Sequence, residues 1–476
     1  MDKNFSPQFI PDFNKLLTKV DPQNGMRISF HHHLRMGDQV VEKVLDALQE
    51  MGLKDLVLCV SSIMGPACSA VLKAVRSGLI SSIETTGLKS PLSEAVMEGE
   101  VPNPVVFRSH GGRVRAIRTG EIPINIAFIA ASAADREGNL NGTDGPNKFG
   151  SLGYAQVDAE YASIVVAVTD FISNAKLDHI AILASRVDYV VQIDSIGDNS
   201  ILSGGSLRGS SSPLHKVIAS HTRDFLLAVG AVQNGWAYQA GSGAVSLLVT
   251  QMVAENMREQ GIQGSFASGG ITGSLVNLLK EGLFRDLYDV QSFDLAAARS
   301  LKEHAHHHEM SAARYADPGI VDTIAQQLDV MVLSAAEVDA DFNINSLTGT
   351  NGKILGALGG APDTAAGAKL TIAVLPSFRG RIPTLHKQVR TICTPGRDVD
   401  VVVTERGIAV NPQREDLLKA LIDNEKQFSG DLLSMDKLIQ KIHAITGTPE
   451  YPDRDGKVFG VVEYRDGSII DTLTSV

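Results

Sequence analysis

Residues 126–145, IAFIAASAADREGNLNGTDG, and residues 330–349, VMVLSAAEVDADFNINSLTG, share one pattern: an apolar run, then an Asp- and Asn-bearing turn closed by glycine. Asp135 aligns with Asp339, Asn139 with Asn343, Asn141 with Asn345 and Gly145 with Gly349, each pair 204 residues apart. The same offset carries Gly78-Leu79 onto Gly282-Leu283, and Val71 and Val75 onto Leu275 and Leu279. DAEYASIVVAV, from Asp158, also resembles DTAAGAKLTIAV, from Asp363, with a slip of one or two residues. One register held over strand, turn and helix predicts two copies of a single unit.

The unit is α/β. Buried strand-like runs such as DLVLCVSS (55–62) and INIAFIAAS (124–132) alternate with helical patterns such as DQVVEKVLDALQEMG (38–52), and that alternation implies a parallel sheet covered by helices. Residues 1–25 read as a loose leader ending at the Asn24-Gly25 turn. The Gly/Ser-rich stretch SGGSLRGSSSP (203–213) is the expected junction, giving domains 1–212 and 213–476. Pairs of this kind place their site at the interface, where the carboxyl ends of both sheets face each other.

Within the second unit, YQAGSGAVSLLV (238–249) and SFASGGITGSLVNLLKEGL (265–283) each run from strand through small residues into a helical pattern. Gly241-Ser242-Gly243 and Ser268-Gly269-Gly270 therefore read as strand-to-helix turns. Such turns aim backbone N–H groups above the strand ends, where they can hold a phosphate or the oxyanion formed on a thioester. No GxSxG elbow and no GxxxxGK[ST] loop occurs in the sequence. An attacking substrate carboxylate would need neither, being ionised at pH 7.

With 476 residues, 43% of them hydrophobic, the chain can bury large cores unaided. Its three cysteines form no framework and no CxxC pair, the segment MDKNFSPQFIPDFNKLL lacks the continuous apolar core of a signal peptide and no run approaches a membrane-spanning length, which together predict a reducing, cytoplasmic setting. The net charge of −11 argues against nucleic-acid binding. Against it stands a basic island, FRSHGGRVRAIR (107–118), fit for a polyanionic metabolite. It is read as an extended run putting Arg108 and His110 on one side, a Gly111-Gly112 turn, and Arg113 folded back toward them, with Arg115 structural. Arg379 and Arg381, in RGRIPT (379–384), follow another strand and are candidates for substrate contact. Histidines gather at 31–33 and at 304 and 306–308. Adjacent histidines on a strand point to opposite faces and no HExxH spacing occurs, so no metal site is predicted, and His32 is kept as an anion-contacting candidate.

ISFHHHLRMGD, RSHGGRVRAI, GNLNG, GSLGYAQVDAEYA, GSGAVSLLVT, GGITG, DTAAGAKL, RGRIPT and TERGIAVNPQREDL, in this order from about Met26 onward, closely resemble the α chains of citrate lyase, the citrate CoA-transferase subunits. The resemblance implies the CoA-transferase fold, two tandem open α/β domains, in keeping with the repeat. It implies transfer of an acyl group from acetyl-S-acyl carrier protein, or acetyl-CoA, to citrate, giving citryl thioester and acetate. It further implies a β chain that cleaves the product and a γ acyl carrier chain bearing a dephospho-CoA-derived group, in an oligomeric complex, with no cofactor held tightly here. Carried over residue by residue, Gly241, Ser242 and Gly243 take the oxyanion position, and Gly269 or Gly270 stands where covalent CoA transferases keep a nucleophilic glutamate. Arg113 is expected to be the main citrate clamp, with His110, Gly111, Gly112, Arg108, Arg379 and Arg381 around it. One departure is Ala361, where the family pattern has histidine, which leaves citrate and a related hydroxy acid such as citramalate both open.

Two other readings compete. A covalent CoA transferase or acyl-CoA hydrolase would use Glu281, Glu309, Glu337 or Glu405, none of which lies in the Gly-flanked turn. A non-catalytic scaffold would have no reason to keep Gly-rich turns at its strand ends free of bulk.

Overall fold

A computed structural model describes residues 6–31, 33–202, 212–424, 429–451 and 453–475. His32 and most of the expected junction, residues 203–211, lie outside the described residues. Two large sheets organise the rest. The first has ten strands in the order Gln8–Ile10, Tyr189–Gln192, Ile164–Thr169, Ile126–Ala131, Arg27–Phe30, Leu56–Val60, Ile80–Thr85, Val105–Arg108, Val458–Glu463, Ile469–Thr474. The second has eight: His307–Glu309, Phe284–Ser292, Gly264–Ile271, Ala237–Ala240, Val330–Ser334, Leu370–Val374, Val401–Thr404, Gly407–Val410. All neighbours are parallel except the last pair of each sheet. Strands such as Ile126–Ala131 are buried at every residue, which is why they read as unbroken apolar runs rather than alternating ones.

Each sheet has the same neighbour order about one central strand. Arg27–Phe30 lies between Ile126–Ala131 and Leu56–Val60, and Ala237–Ala240 lies between Val330–Ser334 and Gly264–Ile271. The turns after the two matched strands are built alike. Asp135 Oδ1 accepts from the N–H groups of Glu137, Gly138 and Asn139, all at 3.0 Å. Asp339 Oδ1 accepts from Asp341 N at 3.0 Å and Asn343 N at 2.9 Å.

Several expectations change. The leader carries regular structure: Gln8–Ile10 pairs with Tyr189–Gln192, and the helix Phe13–Val20, capped by the Asp12 carboxylate accepting from Lys15 N at 2.8 Å, buries Leu16 and Leu17. At the other end, Val458–Glu463 pairs in parallel with Val105–Arg108, so the last hairpin of the range 213–476 belongs by hydrogen bonding to the first sheet. It covers an edge that would otherwise leave N–H and C=O groups unpaired. The basic island is no loop: His110–Arg118 is a helix capped by the Ser109 hydroxyl, which accepts from Gly112 N at 3.0 Å. Ser268-Gly269-Gly270 likewise stays within the strand Gly264–Ile271, and the next helix, Gly273–Lys280, is capped by Thr272. Cys59, Cys68 and Cys393 are free and buried, and no described helix is long and apolar enough to cross a membrane.

Candidate functional site at the junction of the two sheets

The carboxyl ends of the two sheets meet around Phe293. On one side lies a cavity of about 140 Å³ lined by Arg35, Ser61, Ser62, Thr86, Lys89, His110 and Tyr154 from the first half, and by Gln291, Phe293 and Gly359 from the second. On the other a groove of about 280 Å³ runs between the helices Ala244–Gln260 and Gly273–Lys280 and opens at Gly241, Ser242, Gly270 and Thr272. Phe293 lines both. Arg35, held at φ 54° just beyond the end of Arg27–Phe30, stacks its guanidinium on the Phe293 ring at 4.4 Å. Burial pulls its pKa below the ordinary value, so an incoming anion would relieve the cost of that charge.

Gly243 caps the helix Ala244–Gln260 without any side-chain hydrogen bond, which leaves the positive end of the helix open to the groove. The N–H of Gly241 is already given to Val332 O at 2.9 Å, so the donors of this turn begin at Ser242. Gly269 and Gly270 form an irregularity in the strand pairing, and a Cβ would stand 2.8 Å from the Gln239 side chain at Gly269 and 2.3 Å from the Phe293 ring at Gly270. A side chain at either place would require Gln239 or Phe293 to move, and at Gly269 it would also meet the left-handed φ of 103°.

The predicted arginines are committed elsewhere. Arg113 donates through both terminal nitrogens to Asp158, at 2.9 Å each, and His31 Nε2 shares the same carboxylate at 2.8 Å. Burial pushes the Asp158 carboxyl up, but Arg113 and His31 outweigh it and hold the group well below the usual carboxylate range. Arg113 thus offers no free fork, and its expected place as the clamp is corrected to a structural one. Arg108 likewise lies between Glu84, at 2.6 Å, and Glu463, at 2.8 Å, tying the carboxyl-terminal hairpin to the sheet. The N–H of Gly111 goes to Asp363 Oδ2 at 2.9 Å and that of Gly112 to Ser109, so neither faces the cavity with a spare donor. Arg379 donates to the carbonyls of Ala335 and Ala336, at 3.0 and 2.6 Å, one to two residues beyond the strand Val330–Ser334. Arg381 is exposed on the same small hairpin, and neither arginine lines the two cavities. Of the island only His110 lines the junction, its ring 4.5 Å from that of Tyr154. Arg35, Lys89, Tyr154 and Gln291 were not singled out by the sequence, although Arg35 lies within the quoted ISFHHHLRMGD run, just past a predicted strand end.

Beneath the junction, Asp363 accepts from Ser109 Oγ at 2.8 Å as well as from Gly111, and is fully buried. Burial raises its pKa to about 6, against the pull of Arg465, the Gly111 N–H and the Ser109 hydroxyl. A raised acid pKa means that between pH 3.8 and about 6 the folded state holds a proton that the unfolded state has released. This group's contribution to stability therefore falls as pH rises through that window and is level above it. Asp363→Asn should flatten the pH 4–6 segment of the stability curve by about 2–3 kcal/mol relative to the native chain, read by denaturant titration. Parallel curves would refute the assignment.

A family model described as citrate lyase, alpha subunit, matches residues 8–476. The chain is 44% identical over 454 residues to the citrate lyase alpha chain of Klebsiella pneumoniae, covering 95% of this chain and 88% of that one. It is 41% identical over 455 residues to that of Escherichia coli, covering 95% and 88%. Among solved structures, an alpha subunit of citrate lyase from Streptococcus mutans, described as in complex with citrate, superposes with a TM-score of 0.95 at 41% identity, covering 100% of this chain and 92% of that one. A Pseudomonas malonate decarboxylase hetero-tetramer shares the fold at TM-score 0.69 and 15% identity, covering 93% and 88%. The match to the family model spans both sheets and every residue of the junction, and the chain belongs to the citrate lyase alpha-subunit family.

Proposed function

We propose that the chain transfers the acyl group of an acetyl thioester, carried on an acyl carrier protein or on CoA, to citrate, giving citryl thioester and acetate without a covalent enzyme-glutamyl intermediate. The observation that carries the reading is that the junction cavity is lined by Arg35, Lys89 and His110 and, among the described residues, by no carboxylate, while of the two glutamates lining the adjoining groove, Glu255 and Glu281, the second is paired with Arg258. The four glutamates of the covalent alternative have other partners: Glu281 with Arg258, Glu309 with His179 and Leu152 N, Glu337 with Asn345 and Thr350, Glu405 with Ser377. With no enzyme carboxylate lining the junction cavity, a carboxylate of the substrate attacks the acetyl carbonyl and the carrier thiolate leaves. The thiolate then attacks the citryl carbonyl of the mixed anhydride and acetate leaves. The open helix end at Ser242 and Gly243 stabilises the oxyanion in both steps.

The citrate-bound relative supports citrate as the acid, while Ala361 opens the helix Ala361–Gly367 where the family pattern has histidine. A β chain and an acyl carrier γ chain complete the reaction, the thioester arm being theirs rather than a resident cofactor. The matched neighbour order of the two sheets supports an origin by internal duplication, with the junction near residue 212.

The isolated chain should exchange acetyl from acetyl-CoA onto citrate, and borohydride or hydroxylamine after incubation with acetyl-CoA should leave every glutamate unmodified. A modified, inactivated glutamate would overturn the mechanism, and folded protein without exchange would favour a scaffold. Arg35→Ala should weaken citrate binding about ten- to a hundredfold, the loss of about 1.5–3 kcal/mol expected for a charge-assisted contact, with thioester affinity unchanged. Calorimetry with each ligand separates the two effects, and unchanged citrate affinity would remove Arg35 from the site.

A further inference from the structure

The histidines near residue 306 take no part in this chemistry. His307–Glu309 is the edge strand of the second sheet, paired with Phe284–Ser292 so that Leu287 lies opposite His307 and Tyr288 opposite His308. Successive strand residues point to opposite faces. His307 therefore turns inward, with Nδ1 2.9 Å from Ser300 Oγ, while His306 and His308 leave on the other side. Asp286, on the neighbouring strand, completes that side. Its Oδ1 lies 2.9 Å from His306 Nδ1 and 2.9 Å from His308 Nε2, and the three atoms fall within 4.8 Å of one another.

The geometry points to a site for a divalent transition-metal ion of the zinc class, with His306 Nδ1, His308 Nε2 and Asp286 Oδ1 as ligands. A tetrahedral ion with bonds of about 2.0–2.1 Å sets its ligand atoms about 3.3 Å apart, so the 2.9 Å contacts need open only slightly to admit it. Two imidazoles and one carboxylate suit zinc, nickel or copper, whereas magnesium and calcium want oxygen ligands throughout. The surroundings hold the set in place. Arg285 Nε donates to the other carboxylate oxygen, Asp286 Oδ2, at 2.9 Å, leaving Oδ1 directed at the histidines. The His308 ring stacks on Tyr288 at 5.3 Å, and the guanidinium of Arg314 lies over that tyrosine at 5.6 Å. The His306 side chain is 65% exposed, so an ion has a path in and a position left for water.

Asp286 precedes Gln291 by five residues on the same strand, about 16 Å from the junction cavity. The site therefore stands apart from acyl transfer. The ion clips the edge strand and the turn before it to the next strand. Spacing along the chain gave no metal motif because the third ligand comes from a strand 20 residues earlier in sequence.

The test uses the full chain, stripped by chelator and titrated with cobalt(II) and zinc(II) near pH 7.5. The readouts are the cobalt visible absorption, the bound stoichiometry by equilibrium dialysis, and the melting temperature. One ion per chain is expected, with a rise in melting temperature. His306→Ala, His308→Ala and Asp286→Asn should each weaken binding at least tenfold, while His304→Ala, outside the cluster, should not. Metal-free acyl exchange should be the same in all four variants. Absence of stoichiometric binding at micromolar ion, binding that survives in the His306 and His308 variants, or an equal loss in His304→Ala would each overturn the site and leave two histidines sharing a carboxylate.

Discussion

Gly243→Val should lower turnover about a hundredfold or more, the scale seen when one oxyanion donor is lost, with the protein still folded. The backbone at Gly243, at φ −69° and ψ 151°, suits any residue; the constraint is contact. A Cβ there would stand 2.0 Å from Ser334 Oγ and 2.7 Å from Ser334 Cβ, so the first turn of Ala244–Gln260 must move away from the strand that supports it. The hydrogen bond between Ser246 Oγ and Ser334 Oγ, 2.9 Å long, would break with it. Donors displaced by even 1 Å no longer meet the developing charge. Adding Ser334→Gly removes both colliding atoms and should restore part of the rate. Steady-state kinetics with acetyl-CoA and citrate decide the matter, and a folded, fully active Gly243→Val would withdraw the oxyanion role from this turn.

Arg113→Ala should cost about 3–5 kcal/mol of stability, because it strands a buried charge rather than merely deleting a contact. Asp158 is fully buried and its two strongest partners are the parallel bonds from Arg113. With these gone, the carboxylate keeps only His31, whose own protonation burial disfavours against the pull of Asp158. Arg113→Lys keeps the charge but not the fork and should fall between. The double variant Arg113→Ala with Asp158→Ala should regain much of the loss, since no unpaired charge remains. Chemical denaturation measures all three. A stable Arg113→Ala protein that had lost citrate affinity would return this residue to the substrate site.

The contrast between these two residues shows where the sequence was readable. Gly241-Ser242-Gly243 was legible as a strand-to-helix turn because strand, small residues and helix are local patterns, whereas the same pattern at Ser268-Gly269-Gly270 was misread because pairing with Phe284–Ser292 carries the strand on to Ile271. The α/β layering was legible for the same reason, in buried runs such as Ile126–Ala131. Arg113 was misread because its role depends on Asp158, 45 residues further on, and a basic island looks the same whether its charges face solvent, substrate or a buried carboxylate. Helix and turn were also confused at His110-Gly111-Gly112, where two glycines of low helix propensity are held helical by the Ser109 cap and by Asp363 from the other half. Arg35 escaped notice because nothing in its neighbours states that Phe293 will stand opposite.

The hairpin Val458–Thr474, which closes the first sheet, also sets a clock. Arg108 and Glu463 are 355 residues apart, and at about 5–20 residues per second a ribosome needs about 20–70 s to deliver the second after the first. Throughout that interval the strand Val105–Arg108 has one open edge and Arg108 lacks one of its carboxylates. A nascent first half is then a sheet waiting for its last strand, exposed to mispairing with another chain and a natural client for a chaperone that binds unpaired edges.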